Sequence, residues 1–166
     1  MNEKETPKLN KFAQAKITKV VVNIGIGRIS GDKKAISQTE KDITKITGQK
    51  GIMRQAKKSI AGFKLREGML VGYMVTLRGK RMNDFISRLV NIAIPRIRDF
   101  KGLSNKGFDQ QGNYNLGIKE HIIFPEINYD EVDKTYGFNI TVCTSAKTNE
   151  DALNLLKTTG FPFKES

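Results

Sequence analysis

The chain has 166 residues, enough for one domain whose core needs no disulfide or metal to hold it together. Its 29 lysines and arginines exceed its 17 aspartates and glutamates, which gives a formal net charge of +12. Such a surplus favours nucleic acid as the partner, although a solvated cationic surface or contact with an anionic membrane surface would also account for it.

Cysteine and histidine occur once each, as Cys143 and His121. The chain therefore cannot form an internal disulfide or a tetrahedral zinc site, and no spacing suggests a Ser-His-Asp or Cys-His arrangement. We expect no enzyme activity, no metal and no cofactor. We also expect a cytoplasmic location, and a surface or partner-contact role for His121. No apolar run approaches the roughly 18 residues of a membrane span, so no membrane partner is expected.

The first predicted element is a strand over residues 17–26, which is rich in β-branched residues. Most of it is apolar on both of its faces, which indicates a central strand, and Asn23 is a polar side chain in the middle of the apolar run. The polar, charged segment before it, residues 1–15, is predicted to be a flexible lead-in.

A helix is predicted next, with Ser30 or Asp32 as its N-cap and Gly48 as its C-terminal stop. Two strands then follow one another, over residues 51–57 and 70–78. In the second of them apolar and polar side chains alternate, which is typical of a half-buried strand.

A second helix carries an apolar stripe and is predicted to end at Pro95. Residues 96–115 are predicted to form a long irregular stretch, and residues 138–143 alternate as a last strand. Thr148 begins the closing helix in a capping-box pattern, and Gly160 ends it.

The uneven alternation of these elements favours an α+β fold, with a mostly antiparallel sheet that has helices packed on one face and its other face free. No internal repeat or linker divides the chain. We therefore expect a single domain over residues 16–166.

Charge is concentrated in one segment, which contains six basic and no acidic residues: Lys50, Arg54, Lys57, Lys58, Lys64 and Arg66. Such a run repels itself unless an anionic partner, such as a phosphate backbone, neutralises it. Uncharged hydrogen-bonding side chains also lie at or near predicted strands: Asn23, Gln49 and Thr76. On the free face they could meet sugar hydroxyls and base edges, while neighbouring cations hold the phosphates: Lys50, Arg54, Lys57, Lys58 and Arg78.

Acidic residues cluster later in the chain: Glu120, Glu126, Asp130, Glu131 and Asp133. The cluster is either a solvated loop or a face that is turned from RNA toward a basic protein.

A nucleotide-using enzyme is the rival from another class, because Gly25-Ile26-Gly27 stands between a strand and a helix, where a dinucleotide fingerprint would lie. The third glycine position holds Ser30, and no βαβ unit is evident. Gly79-Lys80 resembles the end of a phosphate-binding loop but lacks the Ser or Thr that would hold magnesium. A general basic RNA chaperone is a further alternative.

Long ordered segments carry a family resemblance: KITKVVVNIGIG, ITGQKGIMRQAKKSIAGFKLREGMLVGYMVTLRGKRM, NIAIPRIRDFKGLSNKGFDQQGNYNLGIKEHIIFPEINYD and GFPF. From Lys16 onward the chain resembles the bacterial-type large-subunit ribosomal protein L-five family, which binds 5S rRNA. The resemblance implies a helix-backed antiparallel sheet, a non-catalytic role in translation and a place in the central protuberance of the large subunit, in a cytoplasmic or an organellar ribosome.

The resemblance also implies the partners. The sheet would bind 5S rRNA through Asn23, Gln49 and Thr76. A flexible loop would reach the P-site tRNA with Lys57, Lys58, Ser59, Gly62, Phe63, Lys64 and Arg66. The family also contacts 23S rRNA, has the other proteins of the central protuberance as neighbours, and bridges to a basic head protein of the small subunit, a role we assign to the acidic cluster.

Overall fold

The computed structural model describes residues 14–29, 31–129, 132 and 135–164. They form the α+β fold expected from the sequence, with one five-stranded sheet in which every pairing is antiparallel. The strands are β1 (Ile17–Gly25), β2 (Ile52–Gln55), β3 (Leu70–Leu77), β4 (Tyr114–Ile118) and β5 (Phe138–Thr144), in the spatial order β2-β3-β1-β5-β4. The predicted lead-in falls on residues 1–15, of which 1–13 lie outside the described residues.

Three α-helices cover one face of the sheet: α1 (Lys33–Thr47), α2 (Gly79–Arg88) and α3 (Asn149–Thr158). The inward side chains of β1, among them Val20 and Val22, are completely buried in one cluster with Ile43 of α1, Phe85 of α2 and Leu156 of α3. Because side chains alternate along a strand, the other side chains point to the opposite face of the sheet, which no helix of the described residues covers.

Helix α1 begins and ends with residues whose backbone chemistry suits those positions. Asp32 is its cap, since the Asp32 carboxylate accepts the backbone N–H groups of Lys34 and Ala35 at 3.0 and 3.1 Å. Gly48 ends the helix at a positive φ of 66°, a conformation that glycine adopts without strain. Of the two predicted caps, Asp32 is therefore the one used.

The second helix corrects a sequence expectation. Regular α-helix stops at Arg88, and the chain continues through a π-helical turn (Leu89–Ala93) into a 3₁₀ turn (Ile94–Arg96). Pro95 lies inside that 3₁₀ turn because the first helical positions need no backbone N–H donor. The prediction that this helix ends at Pro95 was therefore wrong, because the regular α-helix ends at Arg88 and Pro95 lies inside the later 3₁₀ turn.

Strand β4 was not predicted, and it shortens the irregular stretch that was expected up to residue 115. Tyr114 and Ile118 are buried and pair with Val142 and Phe138 of β5. The strand places Asn115 and Gly117 on the uncovered face. Helix α3 follows its prediction, because the Thr148 hydroxyl accepts the Asp151 backbone N–H at 3.2 Å.

Candidate nucleic-acid interface

The uncovered face, which we call the open face, has Asn23 near its centre. Asn23 is exposed and pairs in register with Met74 on β3 and with Asn139 on β5. Thr76 lies two residues beyond Met74 and therefore points the same way. The sequence prediction that Asn23 and Thr76 share a free sheet face is consistent with this geometry.

Charge on the open face has one sign. The five described strands contain no aspartate or glutamate, although the chain has 17 acidic residues. Arg54 on β2 and Lys19 on β1 lie on this face, and Arg78 is exposed directly after β3. A surface with cations at its margins and neutral polar groups at its centre suits a polyanion whose backbone bears the charge.

Gln49 follows α1 and is fixed by two hydrogen bonds beside Thr76. Its side-chain amide donates to the Thr76 backbone carbonyl at 3.1 Å and accepts from the Arg81 guanidinium at 3.3 Å. The structure thus brings Gln49 and Thr76 together, as the predicted site requires. It also adds Arg81, which was not among the predicted site residues.

Two predicted phosphate-binding cations already have contacts within the chain. Lys50 Nζ lies 3.1 Å from Glu40 Oε1, and this hydrogen bond and charge raise the pKa of Lys50. The Arg54 guanidinium lies 3.8 Å from the Met74 sulfur, which keeps it over the open face. Among the described residues no carboxylate pairs with Arg54, whereas Glu40 lies beside Lys50.

The segment from residue 57 to 68, called the basic loop, extends the β2–β3 hairpin. Backbone hydrogen bonds close its base between Ala56 and Met69 at 2.8 Å, and close its tip between Ile60 and Leu65 at 2.9 and 3.1 Å. The Ser59 hydroxyl accepts the Glu67 backbone N–H at 2.9 Å. The basic loop is therefore an extension of the hairpin that is held by hydrogen bonds along its length.

The tip of the basic loop is apolar and its sides are cationic. Phe63 is 81% exposed and Ile60 is 46% exposed. Gly62 stands beside Phe63 with no atom near the position a Cβ would take. The four loop cations, all exposed, are Lys57, Lys58, Lys64 and Arg66. An exposed aromatic ring among cations can stack on a nucleobase while the cations neutralise phosphates.

The acidic cluster is divided by the structure. Glu120 is exposed, whereas Glu126 is half-buried and forms an ion pair with Arg88. Asp130, Glu131 and Asp133 lie outside the described residues. Glu126 is thus already neutralised within the chain.

Three further polar residues lie on the open face that sequence reasoning did not select: Asn115, Asn139 and Thr141. The alternation of β5 was recognised, and its polar side could have been assigned to the same face as Asn23. Asn115 could not have been placed, because β4 itself was not recognised.

Comparison with known proteins decides the family. A model described as ribosomal protein L5 matches residues 10–66, and a second, which describes the C-terminus of the same ribosomal family, matches residues 70–163. The chain belongs to the ribosomal L5 family. The large ribosomal subunit protein uL5 of Desulfotalea psychrophila is 57% identical over 94% of the chain and 87% of its own length. Those of Halothermothrix orenii and Geobacter sulfurreducens are 54% and 56% identical, over 94% and 93% of the chain and 87% of their own lengths.

Membership of the L5 family makes the chain a structural ribosomal protein and not an enzyme. No cluster of potential metal ligands occurs among the described residues, and none of the helices in that part of the chain has the length and apolar character of a membrane span.

The dinucleotide alternative is also disfavoured by the geometry of the L5-family fold. A cavity of about 770 Å³ lies beside Gly25 and Gly27, next to the start of α1. The Asp32 carboxylate occupies the N–H groups that a phosphate would need at that helix terminus. The adjoining strands are antiparallel, so the parallel βαβ unit of a dinucleotide fold is absent from the described residues.

His121 requires a correction, since it was expected at the surface or in a partner contact. The side chain is completely buried and stacks on Tyr136 with ring centroids 3.9 Å apart. Its Nδ1 accepts the Tyr136 backbone N–H at 3.4 Å, and its Nε2 lies 4.0 Å from the buried carboxylate of Asp42. The ring is part of the core because residues from distant segments enclose it, and a single histidine in a sequence does not reveal such partners.

Proposed function

We propose that this chain, a structural constituent of the large ribosomal subunit, binds 5S rRNA through the open face of its sheet. The observation that carries the proposal is the composition of this face, which has exposed neutral amides and has cations at its edges. None of the described strands contains an acidic residue. A-form RNA hides its base edges in a deep groove, so we expect recognition of shape, backbone and hydroxyls. Cytoplasmic ribosomes are the proposed location.

Each predicted residue has a role in this proposal. Asn23 and Thr76 would bind ribose hydroxyls or base edges, with Gln49 held beside Thr76 for the same purpose. Arg54, Arg78 and Lys50 would bind phosphates, and Lys50 would have to exchange Glu40 for RNA. The order of importance among the cations is thus Arg54 and Arg78 before Lys50.

Further partners belong to the same proposal. The basic loop would contact the P-site tRNA through its tip, which projects beyond the sheet. Contacts with 23S rRNA and with other proteins of the central protuberance complete the large-subunit partners. Glu120 would face a basic protein of the small-subunit head together with the acids outside the described residues, and Glu126 would contribute less because Arg88 neutralises it.

Binding of the purified chain to 5S rRNA tests the central claim. The comparison uses an unrelated structured RNA of similar length, a salt series, and an Asn23→Ala, Thr76→Val double variant. Selective binding to 5S rRNA that falls in the double variant supports the proposal. If about six phosphates are neutralised, log affinity should fall with log salt with a slope of about −5. Equal binding of both RNAs, unchanged in the variant, would leave only a nonspecific cationic protein.

An exposed asparagine away from the open face provides the matched control. Asn154 lies in α3, in the helical layer on the other side of the sheet, and Asn154→Ala removes the same amide there. This variant should bind 5S rRNA as the unchanged chain does.

A further inference from the structure

The cavity beside α1, which we call the α1 cavity, takes no part in the RNA contacts proposed above. It has a volume of about 770 Å³ and lies between the end of β1, one face of α1 and the segment that leads into β5. Small-molecule sites in proteins commonly have volumes of about 300–1,000 Å³. The size of the α1 cavity therefore suits a ligand as large as a typical metabolite or drug.

The end of β1 gives the α1 cavity an apolar wall. Ile24 and Ile26, which are almost completely buried, line this wall together with the half-buried Ile29. Gly25 and Gly27 stand between the isoleucines, and a Cβ at either glycine would meet nothing within 4 Å. This wall is thus apolar and uncrowded, and it can pack against the apolar body of a ligand.

The α1 wall of the cavity is polar and contains one buried charged group. Ala35, Gln38, Thr39 and Asp42 line it and recur at intervals of three or four residues, so they lie on one face of the helix. The Thr39 hydroxyl is already used, since it donates to the Ala35 backbone carbonyl at 2.9 Å. Asp42 is only 5% exposed, and its carboxylate is the group of this wall that can attract a charged ligand.

The Asp42 carboxylate has hydrogen bonds but no cation. It accepts from the Gln38 side-chain amide at 2.9 Å and from the Tyr136 hydroxyl at 3.3 Å. No lysine or arginine among the described residues forms an ion pair with it. His121 Nε2 lies 4.0 Å away without a hydrogen-bond partner, and burial lowers the pKa of this imidazole, so the ring is neutral near pH 7. Buried charges in proteins are normally paired, so a cation is the group missing at Asp42.

The other lining groups favour an organic cation over a metal ion or a phosphate. The described residues contain no group of three potential metal ligands, and the isoleucine wall offers no oxygen or nitrogen. Lys34 is exposed at the other end of the cavity, eight residues and about 12 Å along α1 from Asp42, so it does not neutralise that carboxylate. Asp32 occupies the N–H groups that would bind a phosphate.

We propose that the α1 cavity binds a small organic cation, whose ammonium group pairs with Asp42 and whose apolar body packs on the isoleucines of β1. Gln38 and Tyr136 hold the carboxylate in place for this pairing. The site is independent of the proposed RNA functions, because none of its lining residues is among the predicted RNA contacts.

Three small compounds that share a phenyl group and differ in charge test the proposal on the full chain. They are the cation phenethylammonium, the neutral phenethyl alcohol and the anion phenylacetate, each titrated near neutral pH and followed by amide-resolved NMR spectroscopy. Phenethylammonium should bind with a dissociation constant of about 1 mM or below, about tenfold more tightly than the alcohol, and phenylacetate should bind most weakly. The shifted amides should be those of the end of β1, of residues 35–42 and of Tyr136. Equal binding of cation and alcohol, or shifts confined to other parts of the chain, would overturn the proposal.

Two substitutions separate the charge of the site from its space. Asp42→Asn keeps the shape but removes the charge, so it should weaken phenethylammonium binding about tenfold and leave the affinity for the alcohol unchanged. Ala35→Met fills part of the cavity and keeps the carboxylate, so it should weaken the binding of both compounds. Asp84→Asn, which removes an exposed carboxylate of α2, is the matched control and should change neither affinity.

The variants decide the proposal together with their melting temperatures. If folded Asp42→Asn or folded Ala35→Met binds phenethylammonium as tightly as the unchanged chain does, the cation does not occupy the α1 cavity and the proposal is wrong. If Asp42→Asn fails to fold, Ala35→Met and the comparison of the three compounds on the unchanged chain give the answer.

Discussion

Burial of His121 should make the stability of this chain depend on pH. Burial lowers the pKa of the His121 imidazole below its usual value, and the nearby Asp42 carboxylate opposes this shift without cancelling it. The folded chain therefore keeps the ring neutral at pH values where the unfolded chain, with a histidine pKa of about 6.5, takes up a proton. The contribution of the neutral ring is complete above pH 6.5 and is lost as the pH falls below it.

The size of this effect on the free energy of unfolding follows from the single proton that His121 takes up in the unfolded chain. If the folded ring stayed neutral, lowering the pH from 7.5 to 5.5 would reduce the free energy of unfolding by about 1.4 kcal/mol. For a chain of this size, that loss corresponds to a fall in melting temperature of about 3–6 °C. Any protonation of the folded ring within this window makes the loss smaller, so both figures are upper limits.

Urea unfolding followed by circular dichroism at pH 7.5, 6.5 and 5.5, at constant ionic strength, measures this effect. His121→Gln is the matched variant, because it keeps a hydrogen-bond acceptor beside Tyr136 but does not titrate. It should be less stable than the unchanged chain at pH 7.5 and should show a flatter pH profile. The same pH dependence in both proteins, or higher stability of the unchanged chain at pH 5.5, would refute the reasoning.

Three further outcomes are expected. Gly51→Ala should reduce the free energy of unfolding by about 1–3 kcal/mol in urea titrations, because the new Cβ would lie 2.6 Å from the Met74 carbonyl oxygen; Gly25→Ala should leave it unchanged. Replacing the four loop cations with glutamine should weaken tRNA binding more than 5S rRNA binding in filter assays, and equal losses would contradict separate roles for loop and sheet. Arg81→Ala should weaken 5S rRNA binding a few-fold by releasing Gln49. A double-mutant cycle with Gln49→Ala checks this, since purely additive losses would mean that Arg81 acts independently.

Much of the fold could be predicted because its patterns are local. The cap and stop of α1 are single residues with defined backbone preferences, and Asp32 and Gly48 perform those roles in the structure. The alternation along β3 and β5 predicted that every second side chain faces the core. Tyr73 and Val142, which belong to the apolar set, are almost completely buried. Asn23 was predicted on the free face because it is a polar side chain in a mostly apolar strand, and it is exposed on the open face.

The remainder depends on contacts between distant segments. Strand β4 contains only five residues, and it is a strand only because it pairs with β5, some twenty residues later in the chain. The local sequence around Asn115 and Gly117 is therefore typical of a loop. The burial of His121 depends on Tyr136 and Asp42, which come from two other parts of the chain. The hydrogen bonds of Gln49 likewise join the end of α1 to β3 and α2.

The strand order has a consequence for how the protein folds during synthesis. Of the described strands, β1 is made first and lies at the centre of the sheet, and one of its two partners is β5, which is made after the other four. In the pairing of Val20 with Val142, more than a hundred residues separate the partners, which makes loop closure costly and folding slow. A nascent chain can form the β2-β3-β1 half before β5 has been translated. The second half is added only after β5 has been translated, so RNA that needs the whole sheet is recognised only by a chain that has been translated past β5.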